Sequence, residues 1–110
     1  MKVTFARRKE QKLCNSASNL NGEYGPRMAA LIQSRLADLA AAENLEVMRT
    51  LPGRCHPLVG DLAGYVALDL VHPDRFVFKP VDDPLPELKG GGLDWKDVRS
   101  VEVWRIGDYH

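Results

Sequence analysis

The spacing of apolar positions divides the chain into a mainly helical first half and a β-rich second half. After Gly25-Pro26, apolar residues recur at intervals of three and four, which predicts one amphipathic helix that ends near Glu43-Asn44. Proline suits its first turn, where a backbone N–H has no helical partner to lose. The predicted apolar stripe consists of Met28, Leu31, Ile32, Leu36 and Leu39.

Shorter elements flank this helix. Residues 2–6 alternate in polarity and predict a first strand, and the polar residues 8–15 predict a short helix. The segment Asn15–Gly22 is rich in Asn, Ser and Gly, which is typical of a turn or loop. Residues 45–48 are expected to form one further helical turn before Pro52-Gly53 ends it.

The second half has the two-residue period of β-strands. Strands are predicted over residues 54–58, 65–71, 75–79 and 98–106, with a tight turn at 71–74, a loop at 81–93 and a helical turn at 94–97. The order β-α-α-β-β-β-β predicts a single α+β domain over residues 1–110, a mostly antiparallel sheet with two N-terminal helices packed on one face. Alternation assigns Leu68, Leu70, Phe76 and Phe78 to the core, and Tyr65, Asp69, Arg75 and Lys79 to the open face.

Composition narrows the class of protein. The chain has 110 residues, 45% of them hydrophobic, and no apolar run long enough to span a bilayer, so we expect a cytoplasmic protein without a membrane partner. Cys14 and Cys55 are expected to be free and reduced. A net charge of zero argues against a dedicated binder of free nucleic acid, although residues 1–12 contain five basic residues against one acidic residue.

The sequence ends on Asp108-Tyr109-His110, directly after a predicted strand. These side chains are capable of proton transfer, and Arg75 and Lys79 on the neighbouring strand can supply fixed positive charge for a phosphate. Such groups suffice for metal-free RNA cleavage, in which a base activates the ribose 2′-OH and an acid protonates the leaving 5′-oxygen. Alternation along the strand places Tyr109 on the face opposite to its two neighbours unless the chain bends.

The other histidines have different contexts. Cys55 and His56 are neighbours on a predicted strand, so their side chains point in opposite directions and a Cys–His nucleophile–base pair is not expected. Cys55 is assigned to the core, His56 to the open face, and His72 to an exposed turn. No CxxC, HExxH or zinc-like spacing is present, so no metal or cofactor is predicted.

Several segments together resemble the HigB branch of the RelE/ParE toxin superfamily, whose members are also known as plasmid-maintenance killer proteins. The resemblance covers the whole chain and is carried by residues 51–61, Gly64, 68–70, 72–75, 92–95 and 101–110. It implies a RelE/ParE-like toxin domain that acts as a ribosome-dependent mRNA endoribonuclease. It also implies inhibition by a cognate, HigA-like helix-turn-helix antitoxin, through which alone operator DNA would be bound.

The resemblance further implies the site residues. Catalytic roles fall on His56, Asp108, Tyr109 and His110. Arg75, with Arg54 and Lys79, is expected to bind the substrate. The two histidines would share proton transfer, and which one is the acid and which the base stays open.

Two departures from the family pattern leave other functions open. Leu62-Ala63 stand where many relatives have basic residues, and the acidic, proline-rich loop at 81–93 is longer than in compact members. One alternative is a non-enzymatic toxin of the ParE kind that poisons gyrase by surface contact, since one fold can host both activities. The other is a degenerate toxin that serves as an antitoxin-binding partner.

Overall fold

A five-stranded sheet organises residues 1–109, the part of the chain that the computed structural model describes. Its strands follow the order β1-β5-β4-β3-β2, and only β1 and β5 run parallel. The predicted mostly antiparallel α+β fold is confirmed. The strands are β1 (Lys2–Phe5), β2 (His56–Pro57), β3 (Val66–Asp69), β4 (Arg75–Pro80) and β5 (Ser100–Gly107).

Three helices precede β2, where the pattern predicts two. The segment Asn15–Gly22 is largely helical, so its assignment to a turn or loop is wrong. The Ser16 hydroxyl accepts a hydrogen bond from the Asn19 N–H at 3.2 Å and so caps the helix, and Leu20 is fully buried. The helices are α1 (Arg8–Cys14), α2 (Ala17–Tyr24) and α3 (Pro26–Ala41), and 3₁₀ turns span Leu45–Thr50, Gly60–Leu62 and Trp95–Asp97.

The core lies between α2, α3 and one face of the sheet. Met28, Ile32 and Leu39 of the predicted stripe are buried, and Leu31 and Leu36 pack partly buried against the same cluster. The four strand residues assigned to the core are all buried as well, which confirms the predicted face. Helix α3 ends earlier than predicted because Ala42 already has an extended backbone.

The strand β2 is shorter than the predicted 54–58. Arg54 has φ +48°, a left-handed conformation that a strand does not tolerate, and pairing therefore begins only at His56. The chain turns sharply at this point. This turn aims the Arg54 side chain at Asp69, the last residue of β3.

A β-bulge interrupts the pairing of β4 with β5. Val77 lies opposite Arg105 and Phe78 opposite Val103, so Trp104 is the extra residue. Val103 and Ile106 are buried on the core side, while Trp104 and Arg105 are both half-buried. The bulge therefore turns two consecutive large side chains toward the open face, which strict alternation does not allow.

Helix α1 contacts both β1 and β5 at the edge of the sheet. Its Glu10 is 2% exposed and accepts a hydrogen bond from Arg7 Nε at 2.7 Å. Burial acts to raise the pKa of Glu10, but the hydrogen bond and positive charge of Arg7 outweigh it and hold that pKa below its usual value. Within residues 1–109, no helix is long and apolar enough to cross a membrane.

Candidate functional site

Charged side chains from two strands meet on the open face of the sheet. Asp69 at the end of β3 lies opposite Arg75 at the start of β4, and Arg75 lies opposite Gly107 of β5. The Asp69 carboxylate approaches Arg75 Nε to 3.7 Å. Three strand ends therefore converge where the sequence analysis placed the positive charge.

Arg54 completes this charged cluster from the turn before β2. Its guanidinium donates two hydrogen bonds to the Asp69 carboxylate, at 2.8 Å from Nε and 3.2 Å from Nη2. This two-point contact fixes the plane of the guanidinium although the side chain is exposed. Burial acts to raise the pKa of Asp69, but its hydrogen bonds and ion pair with Arg54 outweigh this and lower the pKa.

Two hydrogen bonds of its main chain hold Asp69 in place. Its N–H donates to the Gly53 carbonyl at 2.7 Å, and its carbonyl accepts from Nε of the buried Arg35 at 3.0 Å. Arg35 thus connects α3 to the base of the charged cluster. Neither Gly53 nor Arg35 was predicted as a positioning group; the available signal was the assignment of Asp69 to the same face as Arg75.

His56 lies beside the cluster with a defined ring orientation. Its Nδ1 is 2.6 Å from the Arg54 carbonyl oxygen. Because a carbonyl only accepts, Nδ1 carries the hydrogen, and in the neutral ring Nε2 keeps its lone pair. His56 is therefore oriented as a proton acceptor.

An open groove of about 270 Å³ runs past His56 and the two arginines. It is lined by Arg54, His56, Pro57, Leu58, Val59 and Arg75. A smaller cavity of about 80 Å³ adjoins it on the other side of the arginines, and His72 lines that cavity. The groove places one proton acceptor and two guanidinium groups around a volume open to solvent, which suits an anionic substrate.

Three aromatic rings extend the site across the open face. The Trp104 ring centroid lies 5.1 Å from those of both Tyr65 and Tyr109, with interplanar angles of 46° and 53°. The Tyr109 N–H donates to the Gly107 carbonyl at 3.2 Å, so the chain bends back after β5. This bend and the bulge in β5 together place Tyr109 against Trp104 on the open face. The chain therefore departs from the strict alternation that would put Tyr109 on the face opposite to its two neighbours.

The structural comparisons identify the fold that carries this arrangement. No protein-family model and no curated protein sequence matches the chain. A YoeB/ParE toxin from Agrobacterium tumefaciens superposes with a TM-score of 0.61 at 17% identity, and 100% of each chain is covered. The YoeB dimer structure from Staphylococcus aureus gives 0.57 at 18% identity, with 100% of this chain and 97% of that one covered. The chain has the YoeB/ParE toxin fold.

This toxin fold agrees with the RelE/ParE-like architecture implied by the resemblance. The narrower assignment to the HigB branch stays a prediction. On this fold, the predicted residues His56, Arg54 and Arg75 share one groove. Lys79 does not line that groove; its Nζ lies 5.5 Å from the Tyr65 ring centroid, at one end of the aromatic row.

The terminal residues of the toxin fold are only partly described. Asp108 is exposed and Tyr109 is half-buried against Trp104. His110 lies outside the described residues. The catalytic roles assigned to all three therefore stay predictions.

The remaining candidate groups have ordinary surroundings. Cys14 and Cys55 are both free thiols, as predicted, and Cys55 is buried. Burial raises the pKa of Cys55 to about 12, so it has little thiolate character beside His56. Residues 1–109 contain no group of three or more His, Cys, Asp or Glu side chains arranged to hold a metal ion.

Proposed function

We propose that this chain is the toxin of a type II toxin–antitoxin system and cleaves mRNA on the ribosome by general acid–base catalysis. The observation that carries the proposal is the groove in which the acceptor nitrogen of His56 lies beside Arg54 and Arg75. The YoeB/ParE toxin fold supports it. A gyrase-binding toxin would not require an oriented histidine between two arginines.

His56 is the general base of the proposed reaction. Its Nδ1–H is engaged with the Arg54 carbonyl, so the Nε2 lone pair accepts the proton of a ribose 2′-OH. The 2′-oxygen then attacks the adjacent phosphorus and displaces the 5′-oxygen of the next nucleotide. The products are a 2′,3′-cyclic phosphate and a 5′-hydroxyl.

The two arginines stabilise the phosphorane that forms in this step. Arg75 is the more constrained, with 18% of its side chain exposed, and it approaches the phosphate from β4. The Nε and Nη2 groups of Arg54 are bound to Asp69. The opposite edge of its guanidinium faces the phosphate. Positive charge that is fixed before the reaction stabilises developing negative charge without further reorganisation.

The acid that protonates the leaving 5′-oxygen belongs to the terminal segment. By the family resemblance we assign this role to His110, with Asp108 and Tyr109 orienting it or the nucleotide. Assigning the base role to His56 makes His110 the complementary acid. The scheme moves every proton through side chains and requires neither a metal nor a cofactor.

The proposed partners follow from the charge distribution and the resemblance. The exposed cations of β1 and α1 contact ribosomal RNA, which reconciles the zero net charge with an RNA substrate that the ribosome positions. A HigA-like helix-turn-helix antitoxin covers the groove and carries any binding of operator DNA. Both partners are expected in the cytoplasm.

Cleavage of ribosome-bound mRNA by the wild-type chain and two histidine variants tests the proposal. His56→Ala is expected to lower the cleavage rate by about 10²- to 10⁴-fold, because it removes the general base. His72→Ala is the matched control, since His72 is an exposed turn residue outside the groove. It should retain nearly the full rate.

Three outcomes contradict the proposal. A wild-type rate in His56→Ala, with both variants folded by circular dichroism, removes His56 from the mechanism. Intact mRNA together with DNA breaks in cells that express the chain identifies the gyrase-poisoning alternative. Absence of both effects, with antitoxin binding retained, identifies the degenerate toxin.

A further inference from the structure

The aromatic row Tyr65–Trp104–Tyr109 covers part of the open face of the sheet, but packing alone does not explain its aromatic composition. Ala67 and Val77 pair with each other on the strands beneath it and are fully buried, so the row does cover a small apolar patch. All three rings nevertheless stay partly exposed. Aliphatic side chains would cover the same patch equally well.

Two cations accompany the rings. Lys79 Nζ lies over the Tyr65 ring, 5.5 Å from its centroid, and the Arg105 guanidinium carbon lies over the Trp104 ring, 5.1 Å from its centroid. Flat aromatic surfaces alternating with positive charge are the combination that binds single-stranded nucleic acid, with bases on the rings and phosphates on the cations. The charge of the row therefore complements a polynucleotide rather than an apolar peptide.

The row is continuous with the candidate site. His56 pairs with Ala67, Ala67 with Val77, and Val77 with Arg105, so one line of residues crosses the sheet from the groove to the bulge. Three strand spacings separate its ends, which is roughly 14 Å. A few nucleotides of single-stranded RNA cover that distance.

The bulge in β5 is what exposes the central ring of the row. Without the extra residue, Trp104 and Arg105 would point to opposite faces of the sheet. Bulges frequently re-aim side chains beside functional sites. Here the bulge presents a ring and a cation together.

We propose that Trp104 and Tyr65 form a nucleobase-stacking subsite for single-stranded RNA next to the scissile phosphate. The inference rests on the proposed RNA-cleaving function and extends its binding site from the groove to the aromatic row. Stacking on a ring is tolerant of sequence, because every base has a π-face. The subsite holds an RNA segment in register with His56 without selecting one base.

Tryptophan fluorescence of the full chain tests this subsite directly, because Trp104 and Trp95 are its two tryptophans. The Trp95→Phe variant leaves Trp104 as the reporter. It is titrated with a short 2′-O-methyl oligoribonucleotide, which cannot be cleaved, and with an abasic oligomer of the same length and charge. Only the base-bearing oligomer is expected to quench Trp104, and the Trp104→Phe variant, which reports Trp95, should show no quenching.

Affinity measurements separate stacking from a structural role. Trp104→Leu keeps an apolar cover over Val77 but removes the stacking surface, so it should weaken the base-bearing oligomer by about tenfold or more and leave the abasic oligomer unchanged. Trp104→Phe should restore most of the lost affinity. A merely structural role would weaken both oligomers alike.

Equal quenching by the two oligomers, unchanged affinity in Trp104→Leu, or no binding of either oligomer overturns the inference. Its failure is distinguishable from that of the proposed activity. Wild-type cleavage of ribosome-bound mRNA without base-dependent quenching rejects the stacking subsite alone. Base-dependent quenching without cleavage rejects the nuclease alone.

Discussion

At the residue scale, the geometry of the site depends on how Asp69 holds the two arginines. Its carboxylate binds Arg54 at two points and approaches Arg75, while its main chain is tied to Gly53 and Arg35. Asp69 therefore fixes the positions of both cations and partly offsets their charge. Removal of the Asp69 charge should therefore disturb the position of the arginines, while it should not weaken their attraction for the RNA phosphate.

The Asp69→Asn substitution is expected to lower kcat for RNA cleavage by about tenfold, since Arg54 loses its charged anchor. KM should stay constant or fall, because one negative charge leaves the groove while the main-chain bonds of residue 69 remain. Steady-state kinetics of Asp69→Asn and of the control Asp74→Asn measure both effects. A raised KM with unchanged kcat contradicts the positioning role.

The sequence predicted the charged part of the site better than its aromatic part. The alternation of β3 and β4 correctly grouped Asp69 with Arg75, because both precede any irregularity in the sheet. Strict alternation does not give the faces of Trp104 and Tyr109, where a bulge and a bend in the chain reset them. The bulge has no local sequence signal, since it depends on how β5 pairs with β4.

At the element scale, the turn before β2 determines where Arg54 points. Gly53 has φ +113°, and a Cβ there would lie 2.8 Å from Arg35 Nε. Any other residue would strain the backbone and push Arg35 away from the Asp69 carbonyl. The turn, Arg35 and Asp69 therefore form one unit that connects α3 to the groove.

Gly53→Ala is accordingly expected to lower the free energy of unfolding by about 2–3 kcal/mol, from backbone strain and the contact with Arg35 together. Gly64→Ala is the matched control. Gly64 also has positive φ, +94°, but a Cβ there meets nothing within 4 Å, so only about 1 kcal/mol of strain is expected. Urea denaturation measures both, and equal losses would show that the Arg35 contact is unimportant.

Helix α2 shows why some elements escaped prediction. Its sequence has one fully buried residue, Leu20, and therefore no apolar stripe that a periodicity argument can detect. Asparagine, serine and glycine favour loops on their own, but packing of Leu20 and the Ser16 cap override that preference here. The long helix α3 was predictable because its apolar stripe, from Met28 to Leu39, spans about three turns.

At the scale of the whole molecule, the fold unites segments that are distant in the sequence. The groove combines the turn before β2 with the start of β4, and the aromatic row joins β3 to the end of β5. The basic helix α1 contacts β1 and β5, towards the edge of the sheet opposite to β2. A chain with zero net charge can therefore bring two arginines and a histidine together in one groove.

The chemistry of the cut ends tests the central claim most directly. Ribosome-bound mRNA with a single 2′-deoxynucleotide at the cleavage position is compared with the unmodified mRNA, and the new termini are identified by mass spectrometry. The proposed mechanism predicts 2′,3′-cyclic phosphate and 5′-hydroxyl ends from unmodified mRNA, and no cleavage at the 2′-deoxy position. Cleavage at that position, or ends that carry a 5′-phosphate, would contradict attack by a 2′-oxygen activated by His56.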